Sequence, residues 1–307
     1  MSDGGGMRSC NPGRIGERLW YLGREESGIY LLKGDACSLI ISGGMSYLAP
    51  VVRNQLDAFG IDERKIQKLL ILHSHFDHVG LVPFFRRRCP DLQVYASARA
   101  WQILQMPKGI ETINNFGRLV AARRGMTAWL EGYDLEWRND VVGKAVSEGA
   151  TIDLGGLTVQ ILETPGHSSC SISAYVTELQ ALFPSDGGGI PYGETILPSG
   201  NSNFTQYQQS LERLQSLKVE ILCADHYGYV TGPEAENYLC RSSEAARNYR
   251  AMVEAIYRRT GSVDATVEEL VRERLSQIPD FIIGPEIYTG VCRQTARHIA
   301  GAMEEKT

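Results

Sequence analysis

Hydrophobic positions in the first hundred residues switch between two periods. Arg18–Gly23, Gly28–Gly34 and Cys37–Gly43 are short β-rich runs separated by glycine and charge, the punctuation of an antiparallel meander. From Tyr47 to Phe59 the apolar residues Leu48, Val51, Val52, Leu56 and Phe59 recur at helical spacing, and Gly60 ends the run. Gln67–Leu72 predicts a strand whose last four residues are continuously apolar, as in a strand covered on both faces. It leads directly into His73. A helix is expected from about His78 to Pro90, then a strand over Leu92–Ala96. Residues from Ala98 to about Asn139 lack strand signals and hold Trp101, Trp129 and Trp137, with Phe116 and Tyr133. This stretch reads as a helical insertion, either a packing element or a cap over a substrate site.

From Ala150 strands return at Leu157–Glu163, Ser171–Val176, Ala181–Pro184 and Val219–Ala224, with a helix over Asn203–Leu217. After Pro233 only helical patterns follow: Glu234–Arg259, Ala265–Gln277 and about Glu286–Met303. The expected organisation is an α/β body over 1–232, interrupted at about 98–139, with a helical extension over 233–307 packed on it. The start, MSDGGGMRSCNPG, reads as a frayed tail without a signal-peptide pattern. Arg86, Arg87 and Arg88 read as the solvated end of a helix.

Composition narrows the function classes. Lys plus Arg is 31 and Asp plus Glu 36, a net charge of −5, so nothing draws the chain as a whole to nucleic acid or an anionic membrane. An apolar content of 43% suffices for a packed core, and no apolar run approaches a membrane span. The 7 cysteines sit singly, without a C-x-x-C pair, which points to neither a disulfide framework nor a thiolate zinc site. Reduced thiols in a cytoplasm are the expectation.

The 6 histidines carry the chemistry. Three fall in His73-Ser74-His75-Phe76-Asp77-His78, a pattern that this composition yields by chance on the order of once in ten thousand chains. His73 and His75, two apart in an extended segment, can point the same way, while Asp77 and His78 fall in the following turn. Four potential ligands in six residues predict two metal positions. His167 follows a β-rich run in Thr164-Pro165-Gly166, and His226 follows the apolar Ile221–Ala224. Asp186 ends another strand before three glycines. Strand ends converge in open α/β folds, so these groups are expected at one crevice. The glycines at 187–189 fit close backbone approach better than a phosphate cradle, Ser168 and Ser169 lack a nucleophile elbow, and His298 reads as a surface or packing residue.

HSHFDH at 73–78, TPGH at 164–167, SDGGG at 185–189 and DHYG at 225–228 resemble, in order, the motifs of the metallo-β-lactamase superfamily. That resemblance implies an αββα sandwich. It implies one metal held by His73, His75 and His167, a second held by Asp77, His78 and His226, and Asp186 bridging the two. The helical C-terminus and Gly43-Gly44-Met45-Ser46 look more specifically like the quinolone-signal-response thioesterase branch, beside the hydroxyacylglutathione hydrolases. Asp186 stands where common zinc β-lactamases carry cysteine, and His75 where flavodiiron oxygen reductases carry glutamate. Neither of those activities is therefore expected.

Imidazole and carboxylate ligands suit zinc, iron or manganese. Two such divalent ions generate hydroxide at neutral pH from a shared water and can polarise a carbonyl. The expected reaction is hydrolysis of a thioester, acyl ester or lactone, with Asp77 orienting the hydroxide and taking its proton. Tyr192 or Tyr227 would donate to an oxyanion, and Phe281 and Tyr288 would belong to an apolar tunnel formed by the C-terminal helices and the tryptophan-rich insertion. Alternatives are phosphodiester hydrolysis, persulfide oxygenation, or an interaction module whose hydrolysis is incidental. A small-molecule acyl partner is expected, with homodimerisation left open and no nucleic acid or membrane.

Overall fold

A computed structural model of the chain describes residues 8–278 and 283–305. The chain opens with β1 (Arg8–Ser9) and β2 (Gly13–Arg14), followed by β3 (Leu19–Arg24), β4 (Ser27–Lys33), β5 (Ser38–Ile41), α1 (Ala49–Ala58) and β6 (Ile66–Leu70). Next come α2 (Val82–Arg88), β7 (Gln93–Ser97), α3 (Ala98–Leu104), α4 (Pro107–Arg123) and β8 (Lys144–Val146). The second half holds β9 (Thr151–Asp153), β10 (Thr158–Glu163), β11 (Ile172–Val176), β12 (Ala181–Phe183), the hairpin β13 (Ile190–Tyr192) and β14 (Thr195–Leu197), then α5 (Phe204–Leu214), β15 (Ile221–Cys223) and β16 (Tyr229–Thr231). Three helices complete it: α6 (Pro233–Thr260), α7 (Val263–Gln277) and α8 (Gly284–Glu304).

Two seven-stranded sheets form the centre, in the orders β2-β3-β4-β5-β6-β7-β8 and β1-β16-β15-β12-β11-β10-β9. Their central strands are covered on both faces, which is why these are apolar at nearly every position rather than at alternate ones. Tyr21, Leu32, Ile41 and Leu70 of the first sheet meet Ile161, Ala174, Val176 and Phe183 of the second between the layers. The intervening residues Leu22, Leu31, Ile40 and Leu69 point outward, against Val52, Leu56, Phe85 and Trp137. On the far side Leu182, Leu222 and Val230 pack with Phe204, Leu211, Tyr238, Leu239 and Ile299. The C-terminal helices thus share one buried cluster with the second sheet. Each such apolar side chain contributes about 1.5–3 kcal/mol by leaving water. The architecture is the expected αββα sandwich.

Several boundaries differ from expectation for local reasons. Strands β8, β9, β13, β14 and β16 have only three residues each, too few to show alternation. Helix α2 begins at Val82 instead of about His78, because Phe76–His78 forms a separate 3-10 turn and Pro83 sits in the first turn of the helix. The insertion is helical through Arg123 and again over Thr127–Leu130, but irregular from there to Asn139. Trp137 anchors that irregular stretch: its Nε1 donates to the Leu104 carbonyl at 2.8 Å and its backbone N donates to Asn114 Oδ1 at 2.9 Å. The frayed-tail expectation fails from Arg8 onward, since Arg8 and Ser9 pair with Val230 and Tyr229. Arg87 and Arg88 are not simply solvated, because they bind Asp134 and Glu63. Among the described residues no helix is long and apolar enough to cross a membrane.

The pairing of β1 with β16 depends on Gly228, which has φ +86° and lies against the Ser9 carbonyl. Gly228→Ala should therefore lose about 3 kcal/mol or more in urea unfolding. Gly149→Ala, at φ +75° but in open space, should lose about 1–2 kcal/mol from backbone strain alone. Equal losses at the two positions would remove the steric argument.

Candidate metal centre

Both sheets deliver polar residues to one edge of the sandwich. His73 and His75 follow β6 in extended backbone, and Asp77 and His78 lie in the 3-10 turn Phe76–His78. The loop at Gly43 and Gly44 fixes the exit from that turn: Gly43 N donates to the His78 carbonyl at 2.7 Å, and Leu81 N donates back to the Gly43 carbonyl at 2.7 Å. Phe76 packs edge-on against Phe116 of α4, with centroids 5.6 Å apart. His167 sits in the β10–β11 turn, where Gly166 has φ +129° and any Cβ would overlap the Tyr207 backbone. Asp186 and His226 follow β12 and β15, parallel neighbours whose chains leave the sheet at the same end. Each lies beside a non-glycine residue in left-handed backbone, Ser185 at φ +49° and Tyr227 at φ +58°. Such strain is held where the surroundings over-determine it.

The seven expected ligand residues come together, and all but His75 are buried. His73 Nε2, His75 Nδ1 and His167 Nε2 form a triangle with sides of 3.1, 3.2 and 3.0 Å. Three nitrogens on one tetrahedral cation at ordinary zinc–imidazole distances would stand about 3.3 Å apart. Beside this triangle, His78 Nε2 and His226 Nε2 face each other at 3.2 Å, with Asp77 Oδ2 3.7 and 3.5 Å from them. The Asp186 carboxylate lies between the two groups. Its Oδ2 is 3.5 Å from both His78 Nε2 and His167 Nε2, and its Oδ1 is 3.6 Å from His226 Nε2.

The outer ring nitrogens show that the inner ones are built to face a cation. His167 Nδ1 donates to the Ser199 carbonyl at 2.7 Å, and His226 Nδ1 donates to the Glu26 carbonyl at 2.7 Å. A carbonyl only accepts, so each neutral ring keeps its Nε2 lone pair pointing inward. His78 Nδ1 is likewise fixed on Asp225 Oδ2 at 2.8 Å. Inward lone pairs about 3 Å apart repel unless a proton or a metal ion lies between them. Carboxylate and carbonyl partners on outer nitrogens are the usual way to orient metal-ligating imidazoles. The donor set fits two divalent cations.

The two halves differ electrostatically. Burial pushes His73, His75 and His167 toward the neutral form, His75 to about 3. Burial works the same way on His78 and His226, but Asp186 and Asp77 outweigh it and hold both above the usual histidine range. Burial would raise the Asp77 carboxyl, yet His78 and His226 bring it down to about 2. The first triad thus presents neutral imidazoles, whereas the second would release protons to a cation.

Sequence reading missed Ser185, Ser199 and Asp225. Asp225 Oδ2 accepts from both His78 Nδ1 and the Ser185 hydroxyl, and that hydroxyl also lies 3.2 Å from His73 Nδ1. One carboxylate and one hydroxyl therefore join an imidazole of each half, and Asp225 Oδ1 is left without a partner among the described residues. For Ser185 and Asp225 the only sequence signal was position, directly before a ligand-type residue, and Ser199 had none. Behind the 73–75 loop, Cys170 Sγ lies 3.3 Å from Ser74 Oγ and 3.2 Å from Ser168 Oγ, so this thiol is structural.

The expected substrate residues are distributed differently. Tyr192 and Tyr227 meet edge to face with centroids 5.1 Å apart, beside His226. Tyr192 and Tyr288 line a cavity of about 450 Å³ between the β13–β14 hairpin and the C-terminal helices. None of the seven clustered residues lines it, so the expectation of a single tunnel running from these helices to the metals is not met by this cavity. A smaller cavity of about 190 Å³ lies under the insertion, against Phe76 and Trp137. Phe281 falls outside the described residues. His298 packs α8 on α5 by accepting from Thr205 N at 3.3 Å.

The model of the metallo-beta-lactamase superfamily matches residues 23–226. An atrochrysone carboxyl ACP thioesterase of Aspergillus fumigatus is 23% identical over 225 residues, covering 70% of this chain and 58% of the relative. A hydroxyacylglutathione hydrolase of Methylococcus capsulatus is 25% identical over 262 residues, covering 83% of this chain and 82% of the relative. The crystal structure of a metallo-beta-lactamase family protein from Thermus thermophilus superposes with a TM-score of 0.66 at 16% identity, covering 95% of each chain.

Removing the shared acceptor tests the outer layer directly. In chelator-treated protein, Asp225→Ala should lower unfolding free energy by about 3 kcal/mol or more, because a buried His78 and the Ser185 hydroxyl lose their acceptor. Asp225→Asn, which keeps an oxygen there, should lose less than half of that. A loss below about 0.5 kcal/mol in Asp225→Ala would contradict the linkage.

Proposed function

This chain belongs to the metallo-beta-lactamase superfamily and is a metal-dependent hydrolase, and we propose that it is a dinuclear one acting on a thioester or a related acyl ester or lactone. The observation that carries the dinuclear reading is the Asp186 carboxylate lying between two sets of inward imidazoles. His73, His75 and His167 would hold one ion, Asp77, His78 and His226 the other, and Asp186 would bridge them. The all-nitrogen-and-oxygen donor set suits zinc, iron or manganese. Two bound cations supply a water that is nucleophilic at neutral pH and a Lewis acid for the acyl oxygen.

The chain's own residues do the rest. Asp77 is held ionised by its histidine neighbours, so it accepts a hydrogen bond from the attacking water and orients it. Burial first, and then the neighbouring Tyr192 hydroxyl, pushes Tyr227 up to about 12. Its hydroxyl therefore stays protonated at working pH, as a donor to a developing oxyanion must. The Tyr192 ring against it sets the Tyr227 ring plane. The named relatives support the substrate class, since one is a thioesterase and another hydrolyses an acylated glutathione.

Purified protein should carry two divalent ions per chain by plasma emission spectrometry, and His167→Ala should carry about one. Asp77→Asn that retains both ions should lose at least about 100-fold in kcat on a short acyl-thioester. A panel of acyl-thioesters, lactones and phosphodiesters tests the substrate class. Phosphodiester cleavage ten-fold faster than any thioester would overturn the acyl assignment, and one ion per chain with oxygen uptake would overturn hydrolysis.

A further inference from the structure

The cavity of about 450 Å³ between the β13–β14 hairpin and helices α6 and α7 is mostly apolar, with walls that include Ile196, Leu197, Met252, Leu270 and Ile278. One cationic side chain, Arg274 near the end of α7, opens into it. Of the arginines in this helical layer, Arg250 pairs with Glu254 and Arg293 with Asp264, while Arg247, Arg272 and Arg297 are exposed to water. Arg274 is different. Its Nε donates to the Tyr288 hydroxyl at 3.2 Å, and among the described residues no carboxylate lies within ion-pair distance of its guanidinium. Glu273 and Gln277 also line the cavity, and the Glu273 carboxylate accepts from Gln277 Nε2 at 3.4 Å.

We propose that this cavity is a binding site for a small amphipathic carboxylate, its hydrocarbon or aromatic body against the apolar walls and its carboxylate on the Nη1 and Nη2 edge of Arg274. The volume and lining are those of a small-molecule site, an apolar enclosure with a few polar groups that fix orientation. A guanidinium with no acid partner among the described residues, already steadied at Nε, presents a preset two-point fork to a carboxylate. The apolar walls exclude fully hydrated anions such as phosphate or sulfate, which would have to shed water against hydrocarbon.

The site does not depend on the proposed reaction, because none of the seven clustered residues lines it. It is nonetheless connected to them. The hairpin at its floor joins the loop of Asp186 to Ser199, whose carbonyl orients His167, and Tyr192 touches both the cavity and Tyr227. The carboxylate could be an acid released by hydrolysis or a separate effector, and both share this chemistry.

Sodium octanoate, titrated calorimetrically into the metal-loaded full chain, is the probe. Saturable one-to-one binding is expected, with 1-octanol at least ten-fold weaker. Arg274→Gln should weaken octanoate at least ten-fold and leave 1-octanol unchanged. Leu270→Trp, which fills the cavity, should abolish both at an unchanged melting temperature. Binding should survive chelation of the metals. Failure of octanoate to bind at millimolar concentration, binding indifferent to Arg274→Gln, or binding lost on chelation would each overturn the site. Competition with a thioester substrate would identify the released acid as the ligand, and non-competitive inhibition would identify an effector; either supports the site. Because binding is read without turnover, failure of the thioesterase reading leaves this test intact.

Discussion

Five imidazoles and two carboxylates, nearly dry and with their lone pairs aimed at one another, are the constraint around which this molecule is arranged. Packing them this way opposes folding unless something positive lies between them. In the half containing His78 and His226 that charge can be a proton, since Asp186 and Asp77 favour the imidazolium forms. In the half containing His73, His75 and His167 burial removes that option, and the neutral nitrogens stand close to the spacing that a tetrahedral cation imposes.

Holding such a cluster requires rigidity from outside it. The two sheets each fix one part: β6 delivers the 73–78 loop, and β10, β12 and β15 deliver His167, Asp186 and His226. The Ser185–Asp225 connection then ties the halves through the outer ring nitrogens. Strained backbone at Ser185 and Tyr227 is the cost of aiming their neighbours inward. The loop at Gly43 and Gly44 and helix α4 close on the 73–78 segment from the side, so the insertion contributes to holding the centre.

The C-terminal helices add a different property. They complete the core of the second sheet through Tyr238, Leu239 and Ile299, yet leave an apolar space in which Arg274 is not neutralised by any described carboxylate. The β13–β14 hairpin joins that space to the loop of Asp186, and Tyr192 both lines the space and meets the Tyr227 ring. The apolar space and the histidine cluster are therefore linked by one short two-stranded element that has no apolar alternation of its own.

Much of this could be read before any coordinates. The apolar runs at 69–72 and 221–224, the spacing of His73, His75, Asp77 and His78, and the strand-end positions of His167, Asp186 and His226 follow from local chemistry and periodicity. Those are properties a chain carries residue by residue. What pairs with what is not. The three-residue strands β8, β13 and β16 exist because a neighbour accepts their hydrogen bonds, and Arg8 and Ser9 are a strand only because Tyr229 and Val230 lie beside them. Asp225 looked like one more acid before a histidine. Only the packing of the two sheets, which brings residues 73, 185 and 225 into one chain of hydrogen bonds, made it the acceptor that helps set two imidazoles, because a hydrogen bond depends on distance in space and not along the chain.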